Sequence, residues 1–163
     1  MKNLPLSLLS FLLLFLFACR SNPQLNEESY GMPVTLPNVR YTQADVQKLN
    51  WLAGAWQGTE AGRTVRKLFQ FHGNNMLEML DMDNENGSSV SLLTWHEGRY
   101  YLGQNRRWVL TWIGDKDLRF DPMFPGAEPM TWTRLNDRQW HLIRHTPSGD
   151  KATLMERADE MQP

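Results

Sequence analysis

Few side chains in this sequence are placed to do chemistry. The chain holds one cysteine, Cys19, and four histidines, His72, His96, His141 and His145. A single thiol has no partner for an internal disulfide, so Cys19 needs another explanation. His141 and His145 stand four apart. On a strand they share a face, but strand rise separates them by about 13 Å, too far to ligate one metal. The run Asp81-Met82-Asp83-Asn84-Glu85-Asn86-Gly87 is spaced superficially like a calcium loop. Its glycine comes one position late, and Leu92 occupies the place of the bidentate glutamate. It reads as a solvated hairpin built on Asn86-Gly87. There is no Gly-x-Ser-x-Gly, no His-Glu-x-x-His and no glycine-rich phosphate cradle ahead of a helix. These residues name no catalytic set and no metal site.

The elements around them say more. Residues 4–17 form an apolar run behind one positive charge, Lys2, too short to span a bilayer, and read as a secretory leader. From Arg20 to about Tyr41 the chain is rich in Asn, Pro, Glu and Ser without a sustained period, the composition of a flexible tether. Thr42-Gln43-Ala44-Asp45 can cap a short helix carrying Val46, Leu49 and Leu52 on one face, with Gly54 as its stop. Beyond it, strands are predicted over Ala55–Glu60, Thr64–His72, Met76–Met82, Ser89–His96, Tyr100–Gln104, Trp108–Ile113, Leu118–Phe120, Thr131–Leu135, Trp140–His145 and Ala152–Arg157. Gly73-Asn74-Asn75, Asn86-Gly87, Glu97-Gly98, Gly114-Asp115 and Ser148-Gly149-Asp150 supply hairpin turns. Such a series of hairpins favours an all-β, up-and-down antiparallel barrel of roughly eight to ten strands, because closure removes exposed edges. A two-sheet sandwich is the alternative. The organisation is a leader over 1–18, a tether over 19–41 and a barrel over 42–160.

Alternation assigns faces. Val65, Lys67, Phe69 and Phe71 share one, as do Trp108, Leu110 and Trp112, and Ala152, Leu154 and Glu156 oppose Lys151, Thr153 and Met155. The strands at 76–82 and 89–96 are apolar on both faces, which calls for a helix or a partner to cover the exterior. The seven tryptophans, with the Met and Phe residues of the barrel segment, suit an adaptable apolar lining for a small hydrophobic, lipid-like ligand. Phe69, Phe71, Trp112 and Trp132 are the candidate lining. The other possibility is that these side chains fill a solid core. With 17 basic and 18 acidic residues, and only Lys2 lost with the leader, the chain lacks the concentrated basic surface that nucleic acid binding needs.

Two resemblances add to this reading. Leu16-Phe17-Ala18-Cys19 resembles the lipobox of bacterial lipoproteins, with Phe17 the less usual residue. The resemblance implies acylation of Cys19, removal of the leader and attachment to a membrane of the cell envelope through the N-terminal lipid. Arg20, where an Asp would signal retention, implies sorting to the periplasmic face of the outer membrane in a bacterium with two membranes. Leu49-Asn50-Trp51-Leu52-Ala53-Gly54-Ala55-Trp56-Gln57-Gly58 resembles the opening of lipocalin and calycin-like barrels. It is closer still to the DUF6265-type family of bacterial proteins, which shares the Trp-Leu-x-Gly-x-Trp opening. The resemblance implies that Gly54 turns the chain into the barrel, that Trp56 plugs its closed end, and that Arg157 of the last strand stacks on Trp56. Some calycin-like barrels bind haem through a late-strand histidine, for which His145 is the candidate by position. The family's Phe-Glu-Asn-Pro-x-His-Asp-Phe-Pro segment corresponds to Phe120-Asp121-Pro122-Met123-Phe124-Pro125, without the His-Asp pair, so a function resting on that pair does not carry over. Some bacterial lipoprotein barrels instead inhibit hydrolases through an exposed loop, a part the Pro122–Pro129 segment could take as a protein-interaction module.

Overall fold

The computed structural model describes residues 38–83 and 87–158. The leader, Cys19, most of the tether and Asn86 of the acidic turn lie outside the described residues. Within them a helix, Gln43–Leu52, leads into ten strands: β1 (Gly54–Glu60), β2 (Arg63–His72), β3 (Met76–Asp83), β4 (Gly87–His96), β5 (Arg99–Leu102), β6 (Trp108–Ile113), β7 (Asp117–Pro122), β8 (Met130–Asn136), β9 (Gln139–Thr146) and β10 (Gly149–Arg157). Each strand pairs antiparallel with its neighbour in sequence, and β1 also pairs with β10, so the sheet is a closed up-and-down barrel. A sandwich is thereby ruled out. A one-turn 3-10 segment, Gln104–Arg106, interrupts the connection from β5 to β6.

The helix is wound as a 3-10 helix, and its sequence explains why. Val46, Leu49 and Leu52 recur every third residue, and at three residues per turn they eclipse into one stripe. All three are fully buried. The Asp45 carboxylate accepts from the Thr42 amide at 2.7 Å and from the Thr42 hydroxyl at 2.9 Å, securing the first turn. The helix lies across one end of the barrel. There the Tyr100 hydroxyl donates to the Gln43 carbonyl at 2.6 Å and the Trp56 indole N–H donates to the Leu52 carbonyl at 2.7 Å. Burial of Tyr100, reinforced by the Asp45 charge, raises its phenol above the ordinary range, the bond from the Val46 amide opposing. Burial pushes Tyr41 up to about 12, with Asp45 again adding to the effect.

Because the helix closes an end, it does not cover the outer wall. Leu68, Leu80 and Val90 lie side by side there in register across β2, β3 and β4, and Val90 and Leu92 remain 46% and 37% exposed.

The seam between β1 and β10 depends on Gly58, which faces Met155 in register. A Cβ at Gly58 would stand 2.5 Å from the Leu154 carbonyl oxygen and 2.8 Å from the Met155 sulfur. The absence of a side chain lets the two backbones approach closely enough to close the ring. Gly58→Ala is expected to lower unfolding free energy by about 1–3 kcal/mol through overpacking. Gly62→Ala, with nothing within 4 Å of its Cβ but φ +79°, is expected to cost about 1 kcal/mol from backbone strain alone. Urea titrations of the two variants check this order.

Candidate functional site

The two ends of the barrel interior differ in composition. The closed half is filled by aromatic rings. Phe69 meets Trp132 edge-on at 5.7 Å and Trp140 at 6.0 Å, Phe120 lies 5.1 Å from Trp132, and Trp56 packs edge-on against Trp140 at 6.2 Å. Arg157 caps this block. Its guanidinium carbon sits 4.4 Å from the centre of the Trp56 ring, and its N–H groups donate to the carbonyls of Ala53 at 3.0 Å, Trp51 at 3.4 Å and Asp137 at 3.3 Å. Gly54, at φ +104°, turns the chain beneath it, and a Cβ there would stand 2.8 Å from an Arg157 nitrogen.

The open half keeps a cavity of about 140 Å3. Its apolar wall is Met79, Leu102, Trp108, Met130, Trp132 and Leu142, and its polar wall is Lys67, Asp81, Ser91 and Arg144. Two ion pairs cross this end. Lys67 bonds Asp81, its register partner on β3, and Arg144 on β9 bonds Glu60 at the end of β1. The first pair is unequal in depth: the Lys67 side chain is 10% exposed and that of Asp81 32%. The Trp132 indole nitrogen is buried and finds no hydrogen-bond partner among the described residues. A donor left so in a low-dielectric interior is costly. Alternation on β2 already placed Lys67 among Val65, Phe69 and Phe71, which was the readable signal of a polar interior end. Asp81 was masked by its place at the start of an acidic turn.

The candidate residues fall in different places. Phe69 and Trp132 are inside, Trp132 as the floor of the cavity and Phe69 within the aromatic block beneath it. Phe71 is half-buried against the core. Trp112, expected to line the interior, stands on the outer wall at 56% exposure. The reason is a bulge: Leu110 pairs with Phe120 but Trp112 with Arg119, so the extra residue, Thr111, shifts the register and reverses the faces. The Thr111 hydroxyl fixes the bulge by bonding the Asp121 carboxylate at 2.5 Å and the Arg119 carbonyl at 3.3 Å.

His145, the candidate haem ligand, also lies on the outer wall. Its Nε2 is 2.8 Å from the Thr131 hydroxyl and its Nδ1 is 2.9 Å from Asp150. The hydroxyl, imidazole and carboxylate tie β8, β9 and β10 together on the convex face. A wider depression of about 440 Å3, lined by Gln57, Thr59, Thr64, Arg66, Leu154 and Glu156, is likewise on the outer wall, open and largely polar. The Pro122–Pro129 segment sits at the open rim. The Trp108 indole donates to the Glu128 carbonyl at 3.0 Å, the Met123 amide donates to the Arg107 carbonyl at 2.9 Å, and Phe124 is 42% exposed.

No protein-family model and no curated protein matches the chain. Among solved structures it is similar to the redesigned beta barrel mFAP1, solved bound to DFHBI, with 19% identity over 72% of this chain and 100% of that one, at a TM-score of 0.37. A second redesigned beta barrel, b11L5F_LGL, is 20% identical over 74% of this chain and 99% of its own, at a TM-score of 0.37.

Burial raises the Asp121 carboxyl, but the bonds from Arg119 and Thr111 outweigh it and hold it below its ordinary value of 3.8. A depressed carboxyl stabilises the fold above its unfolded pKa, and that contribution disappears as pH falls through the folded value. Asp121→Asn is therefore expected to flatten the loss of stability below about pH 4, read from thermal midpoints between pH 2 and 6.

Proposed function

We propose that this chain is a lipid-anchored protein of the bacterial cell envelope whose barrel binds one small amphipathic molecule at its open end. The observation that carries the binding half of this reading is the division of the interior. An aromatic block fills one half, while the other keeps a cavity with an apolar floor and charged walls. Lys67 stands on the buried face with Asp81 as its half-exposed partner, and a charged pair at that depth is no better for stability than well-packed apolar residues, so its presence favours a role in binding. An apolar body with a few placed polar groups is the usual make-up of a small-molecule site. The anchoring half rests on the lipobox-like segment ending at Cys19, where two or more acyl chains give stable attachment.

A second reading is favoured by one observation. The Pro122–Pro129 loop is pinned at the rim by Trp108 and Arg107 and presents Phe124, an arrangement suited to recognition by a protein partner. In that case the cavity would stay empty while the loop carried the function.

Expression of the full chain in a bacterial host with an alkynyl fatty acid is expected to label the protein, and Cys19→Ala to abolish both the label and recovery in the membrane fraction. The detergent-extracted protein is expected to carry a small molecule at one per chain in native mass spectrometry. Ser91→Phe, which fills the cavity, is expected to remove that molecule and raise the thermal midpoint. A wild-type protein that is empty and that Ser91→Phe leaves unaltered in stability would instead favour the rim loop.

A further inference from the structure

We infer that the ligand of this cavity is a small aromatic carboxylate, bound by exchanging its carboxylate for that of Asp81 on the Lys67 ammonium. This rests on the reading of the open end as a ligand site and specifies its chemistry.

Size sets the first limit. About 140 Å3 falls well below the ~300 Å3 at which pockets for drug-sized ligands begin. Phe69 and Phe120 pack against Trp132 from below, so the cavity does not deepen to take a long acyl chain. It fits a single six-membered ring with one head group. The floor suits a ring, since Trp132 offers an aromatic surface and Met79 and Met130 supply polarisable sulfur.

The sign of the head group follows from the unequal depth of the ion pair. Lys67 is the buried partner and Asp81 the half-buried, more accessible one, at 10% and 32% of their side-chain surfaces. If a ligand displaces one partner, the displaced group must find water. Asp81 can do so by turning outward, whereas Lys67 cannot leave the interior without exposing the core around it. The ligand that replaces Asp81 is therefore an anion. A cation replacing Lys67 would strand the buried ammonium without a counter-charge, a heavy cost in this setting. Each step is an exchange of non-covalent partners with no bond made or broken.

The test uses the full-length protein in detergent and three probes of nearly one shape: benzoate, benzyl alcohol and benzylamine, titrated by tryptophan fluorescence and calorimetry. Benzoate is expected to bind at least tenfold more tightly than either of the others. Lys67→Met is expected to weaken benzoate at least tenfold and to leave benzyl alcohol unchanged. Asp81→Asn, which weakens the internal competitor, is expected to tighten benzoate. A purely structural role for the pair would instead weaken binding in both variants, so opposite signs in the two variants separate exchange from a folding defect. Equal or tighter binding of benzyl alcohol or benzylamine would overturn the anion assignment while leaving the cavity reading in place. Failure of all three probes, with Ser91→Phe also without effect on anything the protein carries, would overturn the cavity reading itself.

Discussion

One guanidinium holds the closed end together. Arg157 stacks on Trp56 and donates to carbonyls of Trp51, Ala53 and Asp137. It thus joins the helix, the first strand, the last strand and the turn from β8 to β9. A lysine there could not make these contacts, since a point charge neither stacks flat on an indole nor forks to several carbonyls. Arg157 and the Trp56 indole N–H together satisfy the last two carbonyls of the helix, those of Trp51 and Leu52, and so hold it across the barrel end. The aromatic block is sealed because the helix lies there. With one end a solid plug, the remaining interior volume is forced to the other end, and the cavity follows.

Much of this architecture was legible in the sequence because antiparallel hairpins are local. Turn pairs such as Glu97-Gly98, both of which adopt positive φ, mark where a strand must reverse, and period-2 alternation marks what lies between. All ten strands predicted have counterparts in the structure, with ends displaced by a few residues at most. The Val46, Leu49 and Leu52 stripe named the buried face of the helix.

What stayed hidden was non-local. Trp112 reads as an inward residue by strict alternation, and only the bulge at Thr111, set by hydrogen bonds to residues on the next strand, turns it outward. Whether Phe69 and Trp132 leave space between them depends on how rings from separate strands nest, which no window of sequence contains. Lys67 was visible as a charge on an apolar face. Its partner Asp81 lies on the predicted strand 76–82 and also opens the acidic run, and only the register between β2 and β3 sets it opposite Lys67. The lesson of these residues is that a charge falling on the buried side of a strand deserves the same weight as a motif.

The seam between the first and last strands has a consequence for how the chain becomes a barrel. Neighbouring strands can zip as each hairpin forms, with little loop entropy to overcome. The contact of Arg157 with Ala53 joins groups 104 residues apart, so closure has to wait for the intervening strands to align. Until then β1 and β10 are two free edges, each able to recruit a strand from another molecule. Gly58 lets these edges meet at close range, and that contact ends the chain's exposure as an open sheet prone to self-association.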